Sequence, residues 1–302
     1  MLSRAARRST HTMARLADLP KTSSFTRLTP DPKIPSPYAA LDNGEGLIHK
    51  PRILTTGAFS WTLPEERLEY RYMISSPRAL EDLGLDPEEV NSDKFRRIVS
   101  GQFYINNEKL IDRSCNFPFP YAQAYAGWQF GQFAGQLGDG RVTNLFEVEK
   151  PTSNSSANRN KYEIQLKGSG KTPFARFADG KAIIGSSIRE YLISEHLNAL
   201  KIPTTRALSL TYLPKTYAQR SEGAKRCAIV ARFAELWVRL GTFDLYRWRG
   251  DRDGINQLSD YVIEELFTVE GEKFSHFNAL MSAKNDFFQG SSTSIGTLTD
   301  YD

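Results

Sequence analysis

The chain has 302 residues, 40% hydrophobic and 25% charged, which is typical of globular proteins and excludes collagen-like and wholly disordered chains. Its net charge of +4 comes from the first 17 residues, which contain four arginines and no acid, so the neutral remainder gives no support for nucleic-acid binding. No apolar run is long enough to span a membrane, and two cysteines exclude a disulfide framework.

Residues 1–17 are rich in Arg, Ser and Thr, and their apolar residues can share one helical face. This composition is typical of a mitochondrial transit peptide and predicts a mitochondrial location, with a disordered basic arm as the alternative. Residues 18–45 contain five prolines and predict an extended, Pro-rich linker. The folded domain is predicted over residues 46–302.

Aromatic residues are dense between Phe117 and Gln136, which favours a buried core over a cofactor site. Gly138-Asp139-Gly140 then interrupts two apolar runs and predicts a β-hairpin. Residues 162–167 alternate between apolar and polar side chains, which predicts a strand with Lys167 at the end of its polar face.

The next predicted element is a helix that begins with a capping box at Ser187–Glu190 and ends before Pro203. Residues 205–213 and 227–233 are predicted strands, and residues 255–285 are predicted to be helical. These elements indicate an α+β fold. The closing stretch, 289–302, has no core-facing run, from which we expect a domain that is incomplete at its C-terminal end.

Two patterns in this region could bind phosphate. Gly168–Thr172 contains a GKT sequence, but Gln165 stands where a Walker loop needs glycine, and Pro173 disfavours a helix at Thr172. A better match is the order glycine hairpin, strand lysine and helix glutamate, found in protein-kinase-like folds. Here the hairpin tip is Gly138, Gly140 and Arg141, the lysine is Lys167, and the acid that orients it is Glu190.

Two arginines, Arg232 and Arg239, bracket an apolar run and therefore need anionic partners. One interpretation is a guanidinium clamp on a terminal phosphate. The alternative is structural salt bridges with Glu235 or Asp244. Asp179-Gly180 is likewise either part of the site or a connecting turn.

Three segments, YAGWQFGQFAGQLGDGR, EIQLKGSGKTPFARFADGKA and SSIREYLISEHLNALKIPTTRALSL, resemble the selenoprotein O (YdiU-type) family. The resemblance covers roughly residues 45–250. It implies a protein-kinase-like fold that binds ATP in an inverted orientation and, with a divalent metal (Mg²⁺ or Mn²⁺), transfers AMP to Ser, Thr or Tyr hydroxyls of proteins. It assigns nucleotide binding to Gly138, Gly140, Arg141, Lys167, Asp179, Gly180, Arg232 and Arg239, with Glu190 orienting Lys167.

The sequence departs from the family pattern in the metal-and-base half of the site. The family's general-base aspartate, its metal-binding asparagine and aspartate, and its C-terminal Cys or selenocysteine motif have no counterpart here. Asn285-Asp286 has the reverse order, so the base and the metal ligands are expected downstream of Asp302. Trp128 and Gly185 replace residues that are often His and a larger basic residue.

The leading hypothesis is therefore a mitochondrial protein adenylyltransferase, of which this chain carries the phosphate-binding half. One alternative is a catalytically inactive pseudokinase module that binds nucleotide and docks a partner. A second is an ordinary protein kinase, which would use the same residues with ATP turned around. Protein substrates are expected as partners, and neither nucleic acid nor a membrane span is expected.

Overall fold

The computed structural model describes residues 14–42, 45–104, 117–129, 131–151, 160–266, 268–269 and 272–273. Within these ranges the fold is mixed α+β, built on one large antiparallel sheet, which confirms the predicted class. The strands are β1 (Phe59–Trp61), β2 (Arg71–Ser75), β3 (Tyr121–Gln123), β4 (Ala126–Gln129), β5 (Gln132–Gln136), β6 (Val142–Glu149), β7 (Lys161–Lys167), β8 (Ala182–Ile183), β9 (Arg206–Arg220), β10 (Gly223–Ala234), β11 (Thr268–Val269) and β12 (Glu272–Lys273).

The helices are α1 (Pro37–Asp42), α2 (Glu45–Ile48), α3 (Pro77–Asp82), α4 (Asp93–Val99), α5 (Ile184–Ala199), α6 (Leu240–Arg249) and α7 (Arg252–Leu266). Short 3-10 helices cover Ser24–Arg27, Pro87–Asn91 and Gln102–Tyr104. In the described part of the chain, no helix is both long and apolar enough to cross a membrane.

The main sheet has the order β1-β3-β6-β7-β10-β9-β2, and β8 pairs with β10 beyond the end of β7. In the register of β7, Lys167 lies opposite Val142 of β6 on one side and Val230 of β10 on the other. Strands β4 and β5 form a separate two-stranded sheet. Lys167 therefore lies at the end of a central strand, where β7 gives way to the connection that leads to α5.

The two faces of the sheet have different chemistry because successive side chains of a strand point to opposite faces. Ile164 and Leu166 of β7 belong to the main hydrophobic core, which also contains side chains from α3, α4 and α7. On the other face, Tyr191 of α5 packs against Ala228 and Val230 of β10. The alternating polar residues of β7 lie on the face covered by α5, and this placement builds the site.

The segment predicted as an extended linker packs against the domain instead. Phe25 and Ile34 are fully buried in the main core, and Thr22 forms a backbone bridge with Glu147 of β6. Apolar side chains at intervals between the prolines bury enough surface to fix this stretch, which the proline count alone did not reveal. The last residues of the predicted leader also pack here, with Leu16 fully buried in the same core, so its boundary at residue 17 is wrong. Residues 1–13 lie outside the described residues.

Two element boundaries differ from the sequence prediction. Helix α5 begins at Ile184, directly after β8, and the hydroxyls of Ser186 and Ser187 donate to the Ile183 carbonyl. The capping box at Ser187 is therefore wrong, although the predicted end before Pro203 is confirmed. The predicted helix over 255–285 corresponds to α7, which ends at Leu266, and residues 274–285 lie outside the described residues.

The predicted hairpin at Gly138–Gly140 is also wrong. The flanking strands do not pair with each other: β5 pairs with β4, while β6 pairs with β3 and β7. The glycine segment is a turn between two sheets, held because the Asp139 N–H donates to the Gln123 carbonyl (2.9 Å). Gly138 has φ +148, and a Cβ there would lie 2.6 Å from the Phe174 ring, so the turn requires glycine.

Candidate functional site

An open cleft of about 780 Å³ lies where the glycine turn, the end of β7 and the connection to α5 meet. Strand β4 and the end of β9 contribute further lining residues. All eight residues assigned to nucleotide binding line this cleft, although they span a hundred residues of sequence: Gly138, Gly140, Arg141, Lys167, Asp179, Gly180, Arg232 and Arg239.

Lys167, Glu190 and Arg232 form an ion-pair cluster at the base of the cleft. The Lys167 Nζ lies 2.8 Å from Glu190 Oε2, so the predicted pairing of the strand lysine with the helix acid is present. The Glu190 Oε1 accepts from Arg232 Nη1 at 2.7 Å. All three side chains are largely buried, and one carboxylate thus holds two cations side by side.

Arg239 approaches the cleft from the start of α6 and has different partners. Its Nη2 lies 3.1 Å from Asp139 Oδ1, and its guanidinium lies over the Tyr125 ring, 4.4 Å from the centroid. The salt-bridge partners considered from the sequence are engaged elsewhere, because Glu235 pairs with Lys150 and Asp244 pairs with Arg247. Arg232 and Arg239 therefore both face the cleft, each held by an acid that the sequence did not single out for it.

Asp179 and Gly180 contribute a further part of the cleft lining. Burial opposes ionisation of Asp179, but the hydrogen bonds from Arg220 (2.7 Å) and the Lys181 N–H, together with the charges of both residues, outweigh it, so the pKa of the carboxyl lies below its usual value. Gly180 has φ +70, and a Cβ there would collide with the backbone of Gly170 and Lys171. The segment is a turn, as the alternative proposed, and it also lines the cleft.

The GKT loop is already occupied by a carboxylate of the chain itself. Glu65 Oε1 accepts from the Lys171 N–H at 2.8 Å, and Glu65 also pairs with Arg67. A Cβ at Gly170 would meet this Glu65 side chain, so the loop closes around an acid. The Glu65 carboxylate thus occupies the place that a phosphate would take in a Walker-type site, which agrees with rejecting such a site here. The same Glu65 contacts hold the segment that follows Lys167 in place.

The cleft carries a surplus of positive charge. Its two acids are Asp139 and Asp179, against seven basic lining residues: Arg141, Lys167, Arg176, Lys181, Arg220, Arg232 and Arg239. Such a surplus at a concave surface favours a multiply charged anion. Within the described ranges, no three His, Cys, Asp or Glu side chains are grouped to hold a metal ion. The lining of the cleft thus offers an anion-binding surface.

Sequence reasoning missed several residues of the cleft. Tyr125 and Trp128 were assigned to the core, but both line the cleft and Trp128 is 68% exposed, whereas Tyr121 is buried as predicted. Asp139, between the two glycines, was treated as a turn residue. A charged residue buried to 1% exposure needs a partner, yet sequence alone does not reveal its burial.

Comparison with known proteins identifies a class of nucleotide-transferring enzymes. Residues 45–290 match the SelO family, described as "Protein adenylyltransferase SelO". The chain is 43% identical over 257 residues to the Saccharomyces cerevisiae "Protein adenylyltransferase SelO, mitochondrial", covering 85% of this chain and 35% of that protein. It is 40% identical over 251 residues to the Schizosaccharomyces pombe protein of the same name, covering 82% and 42%.

A bacterial relative, the "Protein nucleotidyltransferase YdiU" of Flavobacterium johnsoniae, is 35% identical over 240 residues, covering 78% of this chain and 43% of that protein. The chain therefore belongs to the SelO family, and the resemblance stated from the sequence is confirmed. It spans less than half the length of these relatives. The mitochondrial location predicted from the leader agrees with the names of both fungal relatives.

Proposed function

We propose that this chain binds ATP in the cleft and provides the phosphate-binding part of a protein adenylyltransferase. The observation that carries the proposal is that eight residues, assigned by resemblance from separate parts of the sequence, line one cleft with a surplus of positive charge. The names of the relatives support nucleotide transfer to protein as the reaction class.

The proposed fold is protein-kinase-like, with ATP in the inverted orientation. It is supported by a lysine at the end of a central strand that pairs with a glutamate of the following helix. In kinases this pair positions the nucleotide phosphates. The glycine turn lies beside this pair and lines the same cleft.

In the proposed reaction a Ser, Thr or Tyr hydroxyl of a protein attacks the α-phosphorus of ATP. A bond forms between the hydroxyl oxygen and phosphorus, the bond to the bridging oxygen breaks, the proton leaves with a base, and pyrophosphate departs. Negative charge accumulates on the departing pyrophosphate, so Lys167, Arg232 and Arg239 would act by neutralising it. Cations that their buried partners already hold in place need little rearrangement during the reaction, and this increases their stabilising effect on the departing pyrophosphate.

The divalent metal of this proposal is Mg²⁺ or Mn²⁺, and its support is the family resemblance. When bound, such a metal neutralises phosphate oxygens. A transit peptide at the N-terminus remains part of the proposal, and the proposed nucleotide-binding domain includes the packed stretch around Phe25 and Ile34 that precedes residue 46. Mitochondrial proteins with accessible hydroxyls are the proposed substrates.

The test uses a full-length SelO-family protein that contains this chain, incubated with Mg²⁺, a mitochondrial protein extract and ATP labelled at either the α- or the γ-phosphate. Label should pass to protein from α-labelled ATP and not from γ-labelled ATP. The Lys167→Ala variant should lose most of this transfer, whereas Lys94→Ala, which removes an exposed lysine of α4, should retain it. Transfer of γ label alone would identify a protein kinase, and ATP binding without transfer would identify a nucleotide-binding module.

A further inference from the structure

A continuous chain of buried polar side chains runs beneath the cleft and joins its two arginines. It starts at Arg239, whose partner is Asp139. From there Asn144 Nδ2 donates to Asp139 Oδ2 (3.0 Å), Gln165 Nε2 donates to Asn144 Oδ1 (2.7 Å), and Arg232 Nε donates to Gln165 Oε1 (2.7 Å). Arg232 then continues to Glu190 and Lys167. We call Asp139, Asn144 and Gln165 the buried relay.

The direction of every hydrogen bond in the buried relay is fixed by the charged groups at its ends. Arg232 can only donate, so the oxygen of the Gln165 amide must face it and the amide nitrogen must face Asn144. Asn144 must then present its oxygen to Gln165 and its nitrogen to the Asp139 carboxylate. The relay residues are at most 1% exposed, so water is not available to replace a lost partner.

We propose that Asn144 and Gln165 are positioning residues that hold Arg232 and Arg239 in one fixed arrangement for binding the phosphates of a nucleotide. Arginine loses much rotamer freedom when it binds an anion, and a guanidinium already held on one side has less to lose. The relay joins two arginines on different elements, β10 and the start of α6, so their spacing is set by β6 and β7 between them. This inference rests on the proposed function, because it assigns the relay a role in that same site.

The test measures the affinity of the chain for ATP and for adenosine by calorimetry, together with the melting temperature. In Gln165→Leu, ATP affinity should fall by at least about tenfold, because a buried guanidinium loses a charged hydrogen bond, while adenosine affinity stays within about twofold. Gln165→Glu keeps the acceptor for Arg232 but loses the donor to Asn144. Gln165→Glu should therefore show a smaller fall in ATP affinity than Gln165→Leu. Because glutamate has the same shape as glutamine, this variant keeps the test possible if Gln165→Leu fails to fold.

The matched control is Gln123→Leu. Gln123 is a fully buried glutamine of the neighbouring strand β3, and neither polar atom of its side chain has a hydrogen-bond partner in the described structure. Its backbone N–H donates to Asp139 Oδ2 (3.0 Å), a bond that the substitution keeps, and its side chain forms no hydrogen bond with the relay. ATP affinity should therefore stay within about twofold of that of the original chain.

Several outcomes would overturn the proposal. Unchanged ATP affinity in both Gln165 variants, with the original chain binding ATP, would remove the positioning role and leave the proposed function intact. Equal losses of ATP and adenosine affinity would show that the relay is merely structural. Failure of the original chain to bind ATP at all would defeat the proposed function and the relay's role with it.

Discussion

Replacing Glu190 with glutamine should destabilise the protein markedly, because this single carboxylate lies between two cations. It is 2.8 Å from Lys167 Nζ and 2.7 Å from Arg232 Nη1, and its side chain is 12% exposed. Glutamine has nearly the same shape but no charge. The variant would therefore leave two neighbouring cations facing each other with little water to screen them.

The magnitude follows from the burial. Removing one partner of a buried ion pair costs about 3–5 kcal/mol, and the open cleft beside Glu190 places this case at the lower end, about 3 kcal/mol. For a domain of this size each kcal/mol lowers the melting temperature by roughly 2–4 °C, so the expected fall is roughly 6–12 °C. Inorganic tripolyphosphate should restore part of this loss, because it supplies negative charge beside the same two cations.

The assay is thermal unfolding followed by circular dichroism, with Glu222→Gln as the control. Glu222 also pairs with a lysine, Lys225, but its side chain is 78% exposed. Exposed pairs contribute about 0–1 kcal/mol, so the control should melt within roughly 3 °C of the original chain. If Glu190→Gln melted as close to the original chain as the control does, the Glu190 cluster would be solvated and the reasoning refuted.

Three further predictions concern other parts of the chain. Gly180→Ala should lower the melting temperature, because the φ of +70 and the nearby Lys171 backbone exclude a side chain there. Gly185→Ala should raise the melting temperature, because Gly185 lies on α5 with open space around it. Equal effects of the two substitutions in thermal unfolding would contradict this prediction. Burial raises the pKa of Glu89 from 4.5 to about 7, so its contribution to stability is complete below pH 4.5 and is lost as the pH rises through 7. Between pH 5 and 8 the melting temperature of Glu89→Gln should therefore change less than that of the original chain. Parallel melting profiles of the two proteins would exclude the effect. Replacing the leader arginines Arg4, Arg7 and Arg8 with glutamate should abolish import into isolated mitochondria. Uptake at the original rate would rule out a transit peptide there.

The sequence predicted the elements whose signal is local. The alternation of residues 162–167 specified β7, and it correctly placed Lys167 at the strand end, opposite the helix that carries Glu190. The resemblance then selected eight residues that the structure brings to one cleft. The strand and the location of these residues could be predicted because strand period and motif order can both be read without knowing which strands pair, while their role in nucleotide binding stays a prediction.

Predictions that depended on strand pairing failed. Asp-Gly between apolar runs normally indicates a hairpin, but β6 pairs with β7, and β5 pairs back onto β4. The prediction for the N-terminal stretch around Phe25 failed for a related reason, because its contacts are non-local: Thr22 bridges to Glu147 of β6, and the Phe25 ring packs on Tyr261 of α7. The pairing of strands that are distant in sequence depends on the whole fold, so it cannot be predicted from a short stretch of sequence.

The polar face of β7 shows why the site needs the structure. Alternation predicts that Glu163, Gln165 and Lys167 share a face, and a polar face is normally assigned to solvent. Here α5 and the neighbouring strands cover it, so Gln165 is fully buried and must find hydrogen-bond partners within the protein. Those partners are Asn144 on β6 and Arg232 on β10. Burying the polar face therefore converts a row of ordinary strand residues into a support for the arginines of the cleft.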